Sequence, residues 1–435
     1  MDKYTDNNYY FQETEDIGSS YERTSVETEL RKTIQRQKKT MFRLMEKINR
    51  LRIACVVLIL LLIIESFLWW GNSGNDSVAL NNPDDTVIVN DDTAGTAVQG
   101  QDTSITSDAD DVRVDSIITT MTLEQKVYQM IFTTPENLTG VPEVTMAGDS
   151  TKTAIETYPV GGLIYSEKNL ETREQVKNML SKIQSYSNIG LLLAIEENGD
   201  DSPISSAADV SSISIPSAKD IASGDKDMAD KAYSTIAAEM LELGFNLNLA
   251  PFAEATDATS DYFSTDTAVA SEMVKGSVEA MKKYNLASTL KYFPTNTNTE
   301  KSLDDIKNSG FVPFKAGIDA GADFVIVSGK SFGSGEIFSM SKSVMTGALK
   351  GDLSFGGVVV ADDITASQIS DKYTQEQAAV KAINGGADML ICPVGVSKTV
   401  NAILSAIESG EISETTINES VKRIIRVKIK RGIQK

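Results

Sequence analysis

From residue 113 onward the chain alternates short, β-rich apolar runs with stretches of helical periodicity. No other feature constrains the fold as strongly. Eight runs read as strands, at 129–133, 162–165, 191–195, 245–249, 287–292, 323–328, 357–361 and 388–392. Most are continuously apolar, the pattern of strands buried on both faces of a parallel sheet. Helical spacing fills most of the intervals, for example 172–185, 227–243 and 268–284. Eight such units predict an α/β fold, a (β/α)8 TIM-type barrel, which carries its chemistry at the C-terminal ends of the strands. A doubly wound open sheet is the alternative. The lack of a Gly-rich nucleotide fingerprint after the first strand counts against it.

The region before the barrel reads in four parts. Residues 53–70 (IACVVLILLLIIESFLWW) are 18 residues with one charge, Glu65. A bilayer core needs about 17–25 apolar residues. Trp69 and Trp70 lie at one end and Arg50 and Arg52 at the other. This puts the N-terminus in the cytoplasm and the remainder outside a plasma membrane, as a single-pass anchor. The preceding region is too long for a signal peptide, and no small-residue cleavage site follows. Residues 26–52 form a basic juxtamembrane helix. Its apolar positions Leu30, Ile34, Met41, Leu44, Ile48 and Leu51, with Gln37 in the remaining slot, alternate steps of four and three. That spacing suits a coiled coil joining a homodimer through 30–51. The nine Lys/Arg between Arg31 and Arg52, against Glu46 alone, equally suit a helix lying on anionic lipid. Residues 1–25 are polar and Tyr-rich, an expected disordered tail. Residues 71–112 hold nine Asp and no Lys or Arg, and read as a solvated, extended spacer. They contain no Asp-x-Asp-x-Asp-Gly calcium loop.

Composition narrows the chemistry. A net charge of −20 repels nucleic acid. Cys55 lies in the apolar run and Cys392 in the globular part, so no disulfide framework and no zinc spacing emerge, and no metal or cofactor is implied. With no histidine in 435 residues, proton transfer must use carboxylates or other groups. The strand ends supply Glu196 and Glu197 after the third strand, Lys291 in the fifth, and Asp362 and Asp363 after the seventh. Converging carboxylates suit glycoside hydrolysis, where one attacks the anomeric carbon and another protonates the leaving oxygen from about 5–5.5 Å away in retaining enzymes. Singly, each is also readable as a solvated loop charge, and Asp362 as an anchor for backbone N–H groups.

Several segments, in order, resemble glycoside hydrolase family 3, and within it the single-domain β-N-acetylhexosaminidases. They are MTLEQKVYQM (121–130), GGLIYSEKNLETREQVKNMLSKIQ (161–184), NLNLAPF (246–252), LKYFP (290–294), GGVVVADD (356–363) and SVKRIIRVKIKRG (420–432). The resemblance covers about 112–433. It implies a TIM barrel at 113–435 acting on a glycan that contains N-acetylhexosamine. Asp362 matches the family's nucleophile position. Lys291 matches a sugar-holding lysine, and Tyr292 stands where the family has a histidine. Glu196 opens the stretch matching a sugar-contacting loop. In the loop that carries the family's acid/base dyad, this chain has Ser302, Leu303 and Asp304, and two sugar-binding arginines are absent, with Asp261 in place of one. Losing general acid/base help costs typically 10²–10⁴-fold in rate.

Three readings of function follow. The first is a membrane-tethered barrel that binds cell-envelope glycan with impaired or lost hydrolysis. The second is an active β-glycosidase with Asp304, Asp305 or Glu300 as an unorthodox acid. The third is a structural or signalling protein whose cytoplasmic part matters most.

Overall fold

A computed structural model describes the backbone from residue 103 to 434, apart from residues 225, 257 and 258, and side chains from Asp110 onward. The apolar runs become eight parallel strands: β1 (Ile131–Thr133), β2 (Gly162–Ile164), β3 (Leu192–Ile195), β4 (Leu247–Asn248), β5 (Ala287–Phe293), β6 (Phe324–Val327), β7 (Val358–Ala361) and β8 (Met389–Ile391). They pair in chain order, and β8 closes on β1 with Ile131 opposite Leu390 and Phe132 opposite Ile391. Closure rules out the open sheet. Most strands are shorter than the runs that announced them, because the flanks turn. Gln129, for instance, completes the helix Leu123–Gln129, whose start is fixed by a Thr122–Gln125 capping box.

The interior is a packed core. Phe132 of β1 and Phe324 of β6 meet across the barrel, with ring centroids 6.3 Å apart. On β2, Gly162 makes the room, since a Cβ there would lie 2.4 Å from the Phe132 ring. Helices Arg173–Tyr186, Lys226–Leu243, Thr267–Lys283, Leu303–Ala320 and Gln375–Gly385 form the outer layer, with the π-helical stretch Ser343–Asp352 between β6 and β7. Leu290 of β5 points outward against Gly317, and Phe293 packs on Phe311 and Phe314 at 4.8 and 5.2 Å.

The C-terminal helix Glu414–Lys430 ties off the N-terminal end of the barrel. Asp323, buried just before β6, accepts Lys430 Nζ (3.0 Å) and Arg431 Nε and Nη2 (2.9 and 2.7 Å). Asp388, buried just before β8, accepts Lys350 Nζ (2.9 Å), Ser420 Oγ (3.0 Å) and Arg423 Nη1 (3.1 Å). Lys428 is fully buried and donates to Gln129 Oε1 at 2.7 Å. Burial pushes its ammonium down to about 7. Charges placed at this end of a barrel serve stability rather than chemistry.

One boundary differs from the sequence reading. A helix runs from Thr103 to Thr119, so residues 103–112 are helical rather than extended spacer. Val114 and Ile118 are buried, while Asp111 and Asp115 pair with Arg426 (2.7 Å) and Lys422 (2.9 Å) of the C-terminal helix. Those partners lie some 300 residues away, beyond any local composition signal. Among the described residues no helix is long and apolar enough to cross a membrane. The 53–70 span, the 30–51 seam and the 1–25 tail lie outside the described residues, as does Cys55. Cys392 is free and buried.

Candidate active site

Side chains alternate along a strand. With Leu290 facing the helices, Lys291 must face the barrel mouth. The pairing register then shifts between Leu290 and Phe293, both of which pack outward, so Tyr292 also remains on the pocket side. The Lys291–Tyr292 peptide is cis. Lys291 is 1% exposed, and its ammonium pairs with the carboxylate of Glu196 at the end of β3. It also lies over the Phe252 ring, 4.1 Å from the centroid, a cation–π contact at the end of β4. Tyr292 packs edge-on against the same ring at 5.8 Å. Burial first, then the charges of Asp362 and Glu196, push the Tyr292 phenol above its ordinary range.

Asp362 follows β7. Its carboxylate accepts the backbone N–H of Asp363 (2.9 Å) and, at longer range, that of Gly329 (3.4 Å). Burial raises its pKa above the usual value. The two N–H groups and the Lys291 ammonium pull it back, while Asp363 adds to the rise. Lys291, Tyr292, Glu196 and Asp362 are thus brought within each other's electrostatic reach, although they come from three strands.

The two adjacent glutamates part company. Glu196 keeps 39% of its side chain exposed at the mouth. Glu197 is fully buried and points into the loop that follows. It accepts the backbone N–H of Ile204 (2.9 Å) and of Ser205 (3.3 Å), and the Ser205 hydroxyl. Burial nevertheless pushes its carboxyl up to about 7. Its own backbone is clamped to the Asn248 side chain of β4 by bonds of 2.9 and 2.8 Å. Glu197 is therefore a loop anchor.

The loop after β5 is held by local hydrogen bonds and ion pairs. Ser302 caps the helix Leu303–Ala320, and Asp305 returns the bond, completing a capping box. Leu303 packs against the core. Asp304 is 88% exposed and pairs with Lys307 (3.1 Å), which also binds Asp352 on the outer layer (2.8 Å). Glu300 is exposed, with its carboxylate leaning over Gly333 in the loop after β6. The same two loops are knitted by Asn298 Oδ1, which accepts Ser331 N (3.0 Å), and by Gly333 N donating to Thr299 O (2.8 Å).

Sequence reasoning passed over several residues that shape the mouth. Glu254, two residues beyond the NLNLAPF segment, accepts the Thr295 hydroxyl and the Asn296 backbone N–H (3.0 Å), pinning the β5 loop to the β4 loop. Asn296 Nδ2 donates to the Tyr262 hydroxyl at 3.3 Å, and Tyr262 packs edge-on against Phe252 at 5.1 Å. Asn198 donates to the Asp261 carbonyl (2.8 Å) and accepts the Tyr233 hydroxyl (2.6 Å). A carboxylate just past a strand end was the one readable signal for Glu254. The aromatic contacts carried none.

Comparison with known proteins bears on the family and the fold. The glycosyl hydrolase family 3 N terminal domain matches residues 122–427. Beta-hexosaminidase A of Pseudoalteromonas piscicida is 23% identical over 330 residues, 63% of this chain and 54% of that protein. The Beta-hexosaminidase of Stenotrophomonas maltophilia strain K279a is 25% identical over 272 residues, 56% of this chain and 80% of that protein. The structure of a glycoside hydrolase family 3 beta-N-acetylglucosaminidase from Paenibacillus sp. FPU-7 superposes with a TM-score of 0.65 at 26% identity, covering 72% of this chain and 63% of that one. The chain thus spans about half of the Pseudoalteromonas protein and under two thirds of the Paenibacillus chain. A closed eight-stranded barrel with Lys291 and Asp362 at its mouth, matched by the family over residues 122–427, means that this chain belongs to glycosyl hydrolase family 3.

Proposed function

We propose that the barrel binds a hexosamine-containing glycan of the cell envelope, held outside the plasma membrane by the 53–70 span, and that it hydrolyses this glycan weakly or not at all. Asp362 would sit beneath the anomeric carbon, with Lys291, Tyr292 and Glu196 around the sugar. The observation that carries the reading is the loop after β5. Ser302 and Asp305 are spent on capping a helix, and Asp304 turns outward to Lys307. An attacking carboxylate without a proton donor leaves the departing oxygen unassisted, a loss of typically 10²–10⁴-fold. In this reading the heptad seam at 30–51 pairs two copies on the cytoplasmic side.

The test uses the full-length protein in a non-ionic detergent, with a chromogenic N-acetyl-β-glucosaminide and a short hexosamine oligomer. Saturable oligomer binding is expected, with turnover undetectable or about 10²–10⁴-fold below ordinary glycosidase rates. Turnover at ordinary glycosidase rates that vanishes in Asp362→Asn would refute the loss of hydrolysis. Light scattering on a chain lacking 27–52 checks the pairing, which predicts a shift from dimer to monomer.

A further inference from the structure

A second hollow opens beside the barrel mouth. The loops after β4 and β5, with the first turns of the helices Thr267–Lys283 and Leu303–Ala320, enclose a cleft of about 500 Å³, within the roughly 300–1,000 Å³ of small-molecule sites. Its neutral polar lining is hydroxyl: Thr265, Thr267, Thr295, Thr297, Thr299 and Ser309. Pro294 and Ile306, both buried, give it an aliphatic floor.

The walls are held in place by bonds that leave hydroxyls over. Glu254 spends both carboxylate oxygens, one on the Thr295 hydroxyl and one on the Asn296 N–H (3.0 Å). Thr297 is tied to Thr295 hydroxyl to hydroxyl at 3.1 Å. Thr299 is fixed through its backbone to Ser331 (3.1 Å) and Gly333 (2.8 Å). Both flanking helices are already capped, by Asp266 and by the Ser302–Asp305 box, so their first N–H groups are not the attraction. Among the described residues nothing bonds to the hydroxyls of Thr265, Thr267 or Ser309.

The charges of the cleft point to a neutral ligand. Glu254 and Lys301 are the charged residues of its lining, one of each sign. Glu254 takes only neutral donors, and among the described residues no ion pair holds the Lys301 ammonium. That ammonium, on an exposed stem, is free to donate to a ligand hydroxyl at the rim. Hydroxyl walls over an aliphatic floor match a sugar ring, which has hydroxyls at its edge and C–H groups on its faces. A flat aromatic ring would find nothing to stack on, since no aromatic residue is among those lining the cleft.

The cleft also adjoins the inner pocket. Asn296 Nδ2 donates to the Tyr262 hydroxyl (3.3 Å), and Tyr262 packs on Phe252, the ring that carries the Lys291 ammonium. The segment Thr295–Asn296 therefore stands between the two hollows.

We propose that this cleft is a second carbohydrate subsite, which holds a neutral sugar unit of the same glycan whose other end lies over Asp362. The inference rests on the glycan-binding reading above and adds to it a preference for oligomers over single sugars.

The test is calorimetric titration of the full-length protein with N-acetyl-β-glucosamine oligomers, from the monosaccharide to the hexasaccharide. Two or three added neutral hydrogen bonds are worth about tenfold or more, so the longest oligomers should bind tighter than the monosaccharide by at least that factor. Ser309→Trp and Thr265→Trp fill the cleft from opposite walls, and both positions are exposed. Each should bring the long oligomers down to the affinity of the monosaccharide and leave the monosaccharide unchanged. Either variant that folds suffices, as judged by far-UV circular dichroism. Affinity independent of length in the parent overturns the subsite and leaves the glycan-binding reading standing. A length dependence that survives in the folded variants also overturns it. Failure of every oligomer to bind overturns both.

Discussion

Replacing Lys428 by methionine is expected to stabilise the barrel in mild acid and to change little near pH 9. Lys428 is fully buried with a neutral partner, and its pKa falls from 10.5 to about 7. The sign follows from proton counting. Between those two values the unfolded chain carries a proton that the folded chain has released, so this group makes stability rise with pH, by about 1.4 kcal/mol per pH unit. Below pH 7 both states are charged and the full cost of burial is present, roughly 5 kcal/mol. Methionine removes that cost but leaves Gln129 Oε1, also buried, without its donor. An orphaned buried acceptor costs about 1–3 kcal/mol. The variant should therefore gain about 2–4 kcal/mol at pH 6, and by pH 9 about 2.7 kcal/mol of that advantage should be gone. Urea unfolding of the full-length protein and the variant, followed by far-UV circular dichroism at pH 6, 7.5 and 9, measures the gap. A variant less stable than the parent at pH 6, or a gap that stays constant to pH 9, would refute the reasoning.

Two further outcomes concern the same scaffold. Asp323→Ala strands the guanidinium of Arg431, which is 7% exposed, and should cost about 3–5 kcal/mol in urea unfolding, with Asp323→Asn costing less. A loss under about 1 kcal/mol would mean that the contact is not a staple. For Glu197 the pH sign is opposite. Its folded pKa stands at about 7 against 4.5, so the folded state holds the extra proton and stability falls as pH rises between those values. Glu197→Gln should flatten that fall, worth up to roughly 3 kcal/mol across the window, and an unchanged slope would show that Glu197 is not its source.

The architecture was legible because buried parallel strands leave a compositional mark. Runs such as Val358–Ala361 and Phe324–Val327 are apolar on both faces and could be little else. The helix start at Thr172 was equally local, where a hydroxyl and a glutamine three residues on form a capping box; the same signal at Thr122 went unread. The meeting of Lys291 with Asp362 came from the fold rule that strand ends converge. The fate of individual acids was not legible. Glu196 and Glu197 are identical in sequence terms, yet one lies at the mouth and the other is buried, a choice made by where Ile204 and Ser205 fold back. The helix at Thr103–Thr119 was missed for a similar reason, since its acids look solvated until the basic face of Glu414–Lys430 is set beside them. Asp304 reads as a spare acid until Lys307 and Asp352 are placed on its outer side.

That first helix sets how the domain carries a load. Asp111 faces Arg426 and Asp115 faces Lys422, so the two helices run antiparallel. The start of the first therefore lies near the end of the second, where Lys430 and Arg431 grip Asp323 below β6. A pull on the chain from its N-terminal side would load this helix pair along its axis, in shear, at the Asp111–Arg426 and Asp115–Lys422 contacts. The mouth, at the opposite end of the barrel axis, faces away from the point where the force is applied.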